Sequence, residues 1–370
     1  MAPRRKALLV LALPSLVVSA LADPVGAAGG DLDPAFGGNG KVTTNFPGGG
    51  DGASGVAIQE DGKIVAAGGA GGRFAVARYR KDGSLDPSFS GNGKVTTSFP
   101  GIREGAAAVA IQEDGKIVAA GGMATGTGGR FALARYNTNG TLDPTFGGDG
   151  KVTANFTAGG DFAAGVAIQA NGKIVAAGSA NWNARFAVAR YRKDGALDPA
   201  FSGNGKVTTN FTPGEDGAFS VAVQADGQIV AAGFIGEGSD EPRFALARYL
   251  PDGSLDPAFG GDGRVSTNFV DDALDVARGV AVQADGRIVA AGSAGEDSGN
   301  SRFGLARYEV DGALDPSFGG DGRVTTNFIA GVDNFDLAEA VAIQANGNIV
   351  AAGRDGSPVG RFALARYLAE

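Results

Sequence analysis

The 370-residue sequence contains no cysteine and no histidine, and it has only two methionines and one tryptophan. Without cysteine the chain has neither disulfide bonds nor thiol chemistry. Without histidine or cysteine it has no Ser-His-Asp or Cys-His catalytic site and no histidine zinc site. These absences exclude the commonest hydrolase sites and leave paired carboxylates as the catalytic chemistry that the sequence can still supply.

The first 22 residues differ in character from the rest. They open with MAPRRK, continue with the apolar run ALLVLALPSLVVSALA, and end in the small residues Ala20 and Ala22. A basic start, a short apolar run and a small-residue end are typical of a signal peptide, and the run is too short and proline-broken for a membrane span. We expect residues 1–22 to be a signal peptide, residues 23–31 a short linker, and the mature chain to be secreted without a membrane span.

Acidic residues outnumber basic ones by 40 to 32, which gives a net charge of −8. Residues 1–22 hold three basic residues and no acid, so their removal leaves 29 basic residues against 40 acidic ones, a net charge of −11. Such a chain repels nucleic acid and anionic membrane surfaces. We therefore expect neither as a partner. We predict a monomer that binds an extracellular carbohydrate or protein.

Six copies of one sequence unit fill the rest of the chain. Each copy opens with Leu-Asp-Pro, and the first reads LDPAFGGNG, KVTTNF, GVAIQ, EDG, KIVAAG and RFAVARY, with variable loops before GVAIQ and after KIVAAG. Four of these runs are rich in Val, Ile, Phe, Thr and Tyr and are bounded by turn residues, which predicts four strands per copy. Asp-Gly between GVAIQ and KIVAAG predicts a hairpin. The copies begin at residues 32, 85, 142, 197, 255 and 314.

The repeat predicts an all-β fold, a six-bladed β-propeller of four-stranded antiparallel blades, as one domain over residues 32–370. GVAIQ and KIVAAG do not alternate, so both faces should be covered, and their small side chains suit sheets that crowd around an axis. An open β-solenoid is the alternative, but a period above fifty residues with hairpin turns argues against it. We label the predicted strands A (GVAIQ, innermost), B (KIVAAG), C (RFAVARY) and D (KVTTNF of the next copy). The last copy lacks D, so residues 41–46 should pair with residues 362–367 and close the ring.

The pattern LDPxFGGxGKVTTNF…VAIQxDGKIVAAG…RFAxARYxxDG resembles the delta-60 repeat family of exported bacterial proteins over residues 32–370. The hairpin pattern is more weakly similar to propellers of the NHL type. The resemblance implies a β-propeller, and it implies no agreed activity.

Length variation between copies is confined to the loops that join B to C and D to A. Because strands alternate in direction, these loops share one end of every blade, and we call this end the variable face. A rigid scaffold carries function on such loops, and exposed aromatic rings stack on sugars or anchor peptides. The alternative is that Phe162, Phe219 and Phe335 plug the tops of the A strands. The candidate binding residues on this face are Trp182, Phe234, Phe162, Phe219, Phe335, Glu237, Asp240, Asp271 and Asp272.

An acid stands five residues before the first valine of each A strand, and an arginine opens each C strand at the same end. Six acids around a channel would attract a cation such as calcium, which favours several oxygen ligands. Six acids beside six arginines would instead form six structural ion pairs, which we favour; no other cofactor is predicted. The second arginine of strand C, Arg78 in the first copy, should meet an aspartate such as Asp86 near the other face. The acids are Asp51, Glu104, Asp161, Asp216, Asp275 and Asp336, and the arginines are Arg73, Arg130, Arg185, Arg243, Arg302 and Arg361.

Three functions are compatible with this sequence. We favour a non-catalytic exported propeller whose acidic and aromatic loop face binds carbohydrate or protein. A carboxylate-based glycoside hydrolase or lyase on the same scaffold is the enzymatic alternative, by analogy of fold alone. A structural cell-envelope scaffold whose loops bind nothing specific is the third.

Overall fold

All regular secondary structure in the described part of the chain is β-strand. The computed structural model describes residues 33–182, 184–236, 242–269, 274–295, 300–328, 335–356 and 362–369, so the predicted signal peptide and linker lie outside it. The strands are β1 (Gly52–Ile58), β2 (Ile64–Ala70), β3 (Arg73–Tyr79), β4 (Lys94–Thr97), β5 (Arg103–Ile111), β6 (Ile117–Thr125), β7 (Gly128–Tyr136), β8 (Lys151–Ala154), β9 (Phe162–Ile168), β10 (Ile174–Ala180), β11 (Arg185–Tyr191), β12 (Lys206–Thr209), β13 (Asp216–Val223), β14 (Ile229–Ile235), β15 (Arg243–Tyr249), β16 (Arg264–Thr267), β17 (Val276–Val282), β18 (Ile288–Gly295), β19 (Ser301–Tyr308), β20 (Arg323–Thr326), β21 (Leu337–Ile343), β22 (Ile349–Arg354) and β23 (Phe362–Tyr367).

These strands form six antiparallel sheets, five with four strands and the last with three. Blade 1 is β1–β4, blade 2 β5–β8, blade 3 β9–β12, blade 4 β13–β16, blade 5 β17–β20 and blade 6 β21–β23. Within blades 1 to 5 the strands lie in the order A, B, C, D, and the D strand comes from the next sequence copy; blade 6 has A, B and C. The six-bladed propeller predicted from the repeat is confirmed.

The hydrophobic core is divided into clusters between neighbouring blades, and the B and C strands are buried on both faces. In blade 3 every residue of β10 is buried. Val118 and Leu133 of blade 2 pack in one cluster with Ile174 of blade 3. Sheets covered on both sides explain why KIVAAG and RFAVARY carry apolar residues at successive positions.

The Asp-Gly hairpins are confirmed, although their turn differs from a two-residue hairpin in which both residues have positive φ. In blade 1 the amide of Gln59 donates to the carbonyl of Lys63, which leaves Glu60, Asp61 and Gly62 in the turn. Only Gly62 is left-handed among the three, with φ of 79°. A three-residue hairpin loop with glycine at its left-handed position requires this residue order.

Close approach of the inner strands explains the glycine in strand A. A Cβ added at Gly279 would lie 2.9 Å from the backbone nitrogen of Val341 in the next blade. The A strand also carries a register shift at this point, between Ala277 and Gly279. The inner strands therefore crowd together at the axis, as their small residues predict.

Tyrosine–threonine hydrogen bonds join each D strand to the blade that follows it. The hydroxyl of Tyr136 in blade 2 lies 2.7 Å from that of Thr97 in blade 1, and four other tyrosines repeat this contact. The exception is Tyr191, whose buried hydroxyl has no partner, because residue 154 is alanine where the other copies have threonine.

Replacing Ala154 by threonine should restore the missing bond and stabilise the protein by about 1 kcal/mol. Threonine fits, because Thr97, Thr209 and Thr267 occupy the equivalent buried position. In thermal denaturation we expect a rise of roughly 2–4 °C in melting temperature. Ala154→Val is the matched control, since valine has the same shape without the hydroxyl; an equal gain from valine would show that packing, and not the hydrogen bond, is responsible.

Five buried arginine–aspartate pairs lie at the end of the blades opposite the variable face. The sequence predicts such a pair for Arg78 and Asp86. The Nε atom of Arg78 lies 2.9 Å from Oδ2 of Asp86, and both side chains are about 4% exposed. The same arginine also donates to the backbone carbonyl of Thr138 in blade 2. Each pair therefore binds a blade to its successor. The other pairs are Arg135–Asp143, Arg190–Asp198, Arg248–Asp256 and Arg307–Asp315.

The structure does not confirm the predicted pairing of residues 41–46 with residues 362–367. In the described residues the last sheet ends at β23, and Leu364 on that strand is 66% exposed. Residues 41–46 are extended but form no ladder. They lie against blade 1, where the hydroxyl of Thr44 accepts a bond from Tyr79 and Phe46 packs on Ala75.

Candidate ligand-binding cavity

A cavity of about 600 Å³ opens on the variable face across blades 1, 2 and 3. Strand ends and loops rich in glycine form its floor, and the rings of Phe162 and Trp182 stand at its side. Glu104, Arg103 and Asp161 supply its charged groups. Its volume lies within the range of small-molecule sites, which are mostly apolar clefts with a few polar groups. We call it the variable-face cavity.

The two aromatic rings lie flat on glycine backbone. A Cβ at Gly160 would come within 2.6 Å of the Trp182 indole, and one at Gly122 within 2.3 Å of the Phe162 ring. Trp182 stays 68% exposed and Phe162 46% exposed. Phe162 packs on Gly122 of blade 2 and is about half buried, so both the binding and the packing interpretations of this ring remain open. Sequence reasoning missed the two glycines, whose role depends on which ring lies above them.

Trp182 sits on a strained turn. Asn181 and Trp182 both have left-handed backbone, with φ of 56° and 59°. This conformation costs roughly 1–2 kcal/mol for a residue with a side chain, although asparagine tolerates it. Strain of this kind is found at ligand sites, where the surrounding structure holds it in place. The turn presents the indole at the mouth of the cavity, held by the Trp182 amide, which donates to the Gly160 carbonyl at 2.8 Å.

Five of the six ring acids accept hydrogen bonds from backbone amides. Asp161 uses both carboxylate oxygens: Oδ2 accepts from the amides of Phe156 and Thr157, and Oδ1 from the Thr157 hydroxyl and the Asn181 amide. The carboxylate therefore fastens the D–A loop to the B–C loop of its own blade. Asp51, Asp216, Asp275 and Asp336 accept the amide of the phenylalanine that ends the preceding D segment in the same way.

Burial raises the pKa of two of these carboxylates. Asp216 and Asp275 are fully buried. Removal from water raises the pKa of Asp275 to about 6, against the opposing effect of amide bonds from Phe269 and Gly295. Burial raises the pKa of Asp216 as well. These aspartates are structural acceptors in a dry environment.

The predicted acid–arginine pairs are wrong for the described residues. None of the pairs Asp51–Arg73, Glu104–Arg130, Asp161–Arg185, Asp216–Arg243 and Asp275–Arg302 is among the ion pairs of the described chain. Arg361, the predicted partner of Asp336, lies outside the described residues. A metal centre has no support either, since the part of the chain that the structure describes has no group of three or more acidic side chains able to hold one ion. For five of the six acids, backbone amides take the place of both partners.

Glu104 is the exception in the ring. It is 8% exposed, and its Oε2 atom is buried without a hydrogen-bond partner. It is also the one glutamate among the six acids. It lines the cavity together with Gly105 and Gly122.

Phe219, Phe234 and Phe335 do not line the cavity. Phe219 and Phe234 stack on each other with ring centroids 5.6 Å apart, and the guanidinium of Arg278 lies over Phe219. These two rings pack in blade 4, as the plug alternative predicts for Phe219. Phe335 is 60% exposed next to blade 6. Glu237, Asp240, Asp271 and Asp272 lie outside the described residues.

No helix in the described ranges has the length and apolar character needed to cross a membrane.

Five segments of the chain match one family model, a β-propeller domain of unknown function called DUF5122. Each segment runs from the glutamine after strand A to the phenylalanine after Leu-Asp-Pro, so it covers one hairpin and its C strand. The match identifies DUF5122-type β-propeller repeats in these segments. These are repeats of the delta-60 type, in agreement with the sequence. The matched residues are 59–89, 112–146, 169–201, 224–259 and 283–318.

Several solved structures are similar to this chain at low sequence identity. Virginiamycin B lyase from Staphylococcus aureus is 11% identical, with a TM-score of 0.48 over 85% of this chain and 84% of its own. Kuenenia stuttgartiensis hydrazine synthase is 12% identical, with a TM-score of 0.49 over 86% and 79%. A gluconolactonase from Xanthomonas campestris is 17% identical, with a TM-score of 0.43 over 85% and 86%. The search of curated proteins gave no match.

Proposed function

We propose that the protein is an exported, non-catalytic propeller that binds a small saccharide or the end of a longer one in the variable-face cavity. The observation that carries this proposal is the cavity itself, which is lined by an exposed tryptophan, a phenylalanine and a buried glutamate with one unpartnered carboxylate oxygen. Aromatic faces bind the apolar face of a sugar ring, and carboxylates accept its hydroxyl groups.

The exposure of Trp182 supports binding over packing. A tryptophan that is 68% exposed gains little from burial in the free protein, and its left-handed backbone adds a cost. The surrounding turn nevertheless holds the ring beside the cavity. This arrangement is expected when the indole is covered by a ligand.

Trp182→Asn should weaken saccharide binding at least tenfold without lowering the melting temperature, because asparagine tolerates the left-handed turn. The test is an oligosaccharide array probed with the mature protein, followed by calorimetry on any saccharide that binds. Phe335→Asn is the matched control, since Phe335 is similarly exposed on the same face but does not line the cavity.

If no saccharide on the array binds the unmodified protein, the proposed function is wrong. Equal loss of affinity in Trp182→Asn and Phe335→Asn would also contradict it, because the effect would then not depend on the cavity.

The enzymatic alternative has less support from this geometry. Glycoside hydrolysis requires two carboxyl groups, one as acid and one as base or nucleophile. Asp161 is the second carboxylate of the cavity, and both of its oxygens are occupied by hydrogen bonds from the surrounding loops. A purely structural scaffold, in turn, has no need of an exposed indole on a strained turn.

A further inference from the structure

Glu104 occupies the position of the five ring aspartates but has a different environment. In blade 2 the strands extend further onto the variable face than in blade 1: β5 and β6 have nine residues each, against seven for β1 and β2. Glu104 is therefore part of the ladder, opposite Met123. Its own amide donates to the carbonyl of Gly72 in blade 1, at 2.9 Å.

The carboxylate of Glu104 also differs from those of the ring aspartates in its hydrogen bonds. Asp161, at the same position of blade 3, accepts four hydrogen bonds from its two loops. No hydrogen bond within the described residues reaches Oε2 of Glu104. A buried carboxylate oxygen without a donor is costly, because it has lost its water and gained nothing in exchange.

No arginine near the cavity forms an ion pair with Glu104 in the described chain. Arg103 lines it, but this residue is exposed and forms no ion pair with Glu104 in the described chain. Arg130, the predicted partner, is exposed too and does not pair with it. Neither arginine therefore supplies a hydrogen bond to Glu104 in the described chain.

We infer that Glu104 binds the ammonium group of an amino sugar whose ring stacks on Trp182. The inference rests on the proposed function, and it names the class of saccharide. A cation is the partner that compensates a buried carboxylate most strongly, through a charge-assisted hydrogen bond. The aromatic wall supports the same ligand, since an indole face attracts both a sugar ring and a neighbouring cation.

Two disaccharides that differ only in the group at carbon 2 of each ring give a direct test. Cellobiose and the β-1,4-linked glucosamine disaccharide have the same linkage and shape, and differ in hydroxyl against ammonium at carbon 2. Titrated by calorimetry at about pH 6, where the amine is protonated, the amino disaccharide should bind at least tenfold more tightly than cellobiose. Glu104→Gln should abolish this preference, so that the two disaccharides bind with about equal affinity.

Stability separates a ligand-binding glutamate from a structural one. Glu104→Gln should leave the melting temperature unchanged or raise it, because the charge it removes has no partner in the free protein. Asp216→Asn is the matched control in blade 4, outside the cavity; it should lower the melting temperature, since the Asp216 carboxylate accepts the Phe211 amide, and leave the preference between the two sugars intact.

Each outcome decides between the two proposals. If both disaccharides bind equally and Glu104→Gln changes neither, the role of Glu104 is wrong while the saccharide-binding function stands. If neither disaccharide nor any arrayed saccharide binds, the proposed function fails and this inference fails with it. If Nα-acetyl-lysine amide binds as tightly as the amino disaccharide, the site recognises a cation and the assignment to a sugar is wrong.

Discussion

A Val42→Cys/Leu364→Cys variant should form one disulfide within a single chain and melt about 10 °C higher than the unmodified protein. The bond would close a loop of more than three hundred residues, and loop entropy alone predicts roughly 5 kcal/mol of stabilisation. The chain is free of cysteine, so no other thiol competes. The result would show that residues 41–46 complete blade 6 in solution.

The register of the other blades predicts this pair. In blades 1 to 5 the central apolar residue of strand C faces the valine of strand D, as in Leu133↔Val152 and Leu246↔Val265. These leucines are fully buried, whereas Leu364 is 66% exposed. The segment Lys41–Thr44 has the same sequence as strand β4, KVTT. It therefore has the sequence of the D strand that is missing beside β23.

The contacts of residues 41–46 with blade 1 are already those of a D strand. Thr44 bonds to Tyr79 as Thr97 bonds to Tyr136. The carbonyl of Asn45 accepts from the Lys94 ammonium at 2.7 Å, as the carbonyl of Asn155 accepts from Lys206. One side of the junction is thus complete, and only the pairing with β23 remains to be made.

A sixth arginine–aspartate pair is also expected at this junction. In each of the other blades the second arginine of strand C pairs with the aspartate of the next Leu-Asp-Pro. In a closed ring the equivalent partner of Arg366 is Asp33. Both side chains are exposed in the structure, and closure would bury them together.

Thr43→Cys/Leu364→Cys is the matched control, because a shift of one residue places the two side chains on opposite faces of the sheet. It should form little disulfide. Covalent dimers from Val42→Cys/Leu364→Cys, seen on a non-reducing gel and increasing with protein concentration, would show that β23 pairs with a second copy and would contradict closure within one chain.

Arg248→Met should lower the free energy of unfolding by about 3–5 kcal/mol, the usual result of removing one member of a buried ion pair. Arg248 lies 2.7 Å from Asp256 with both side chains about 5% exposed, and its guanidinium also covers the Phe259 ring at 4.6 Å. The substitution leaves the Asp256 carboxylate buried without its partner. Urea denaturation would measure the loss.

The exposed pair Lys63–Asp61 provides the comparison. It is 2.5 Å long, with side chains 32% and 53% exposed, and Lys63→Met should cost less than about 1 kcal/mol. Arg248→Met/Asp256→Asn should be less destabilising than the sum of the two single changes, since the second removes a charge that has already lost its partner. A loss in Arg248→Met no larger than in Lys63→Met would contradict the structural role of the pair.

The same pairs make the protein sensitive to acid. Burial by itself would raise the pKa of Asp315, but hydrogen bonds from Ser317 and the charge of Arg307 lower it below its ordinary value. The pKa values of Asp86, Asp143 and Asp198 are lowered as well. A carboxylate with a lowered folded-state pKa stabilises the fold above its unfolded-state pKa, and this stability is lost as the pH falls through the folded-state value.

The repeat predicted the architecture because a unit copied six times must pack against itself. The Arg78–Asp86 pair could be predicted too, since both residues recur at fixed positions near one end of the blade. The partners of the ring acids could not. Asp161 binds amides of Phe156 and Asn181, and every residue has an amide, so the sequence gives no sign of which one is in reach. The arginines that open the C strands recur at fixed positions and were therefore predicted as the partners. This prediction is wrong for the described residues.

The candidate site was predicted in its residues but not in its geometry. Trp182 and Phe162 stood out as aromatics outside the repeat pattern, and Glu104 as one member of a ring of acids. That these three line one cavity depends on two glycines under the rings and on the longer strands of blade 2. These features become visible only when neighbouring blades are placed side by side.

The sequence copies and the blades are offset by one strand, because the D strand of a blade is encoded at the start of the next copy. A crossover between two copies at any matching position therefore adds or removes a whole unit and leaves every junction between blades made of the same residues as before. Gene duplication can in this way change the number of blades without inventing a new interface. The variable loops travel with their unit, so a lineage can shuffle ligand-binding surfaces on a scaffold that stays the same.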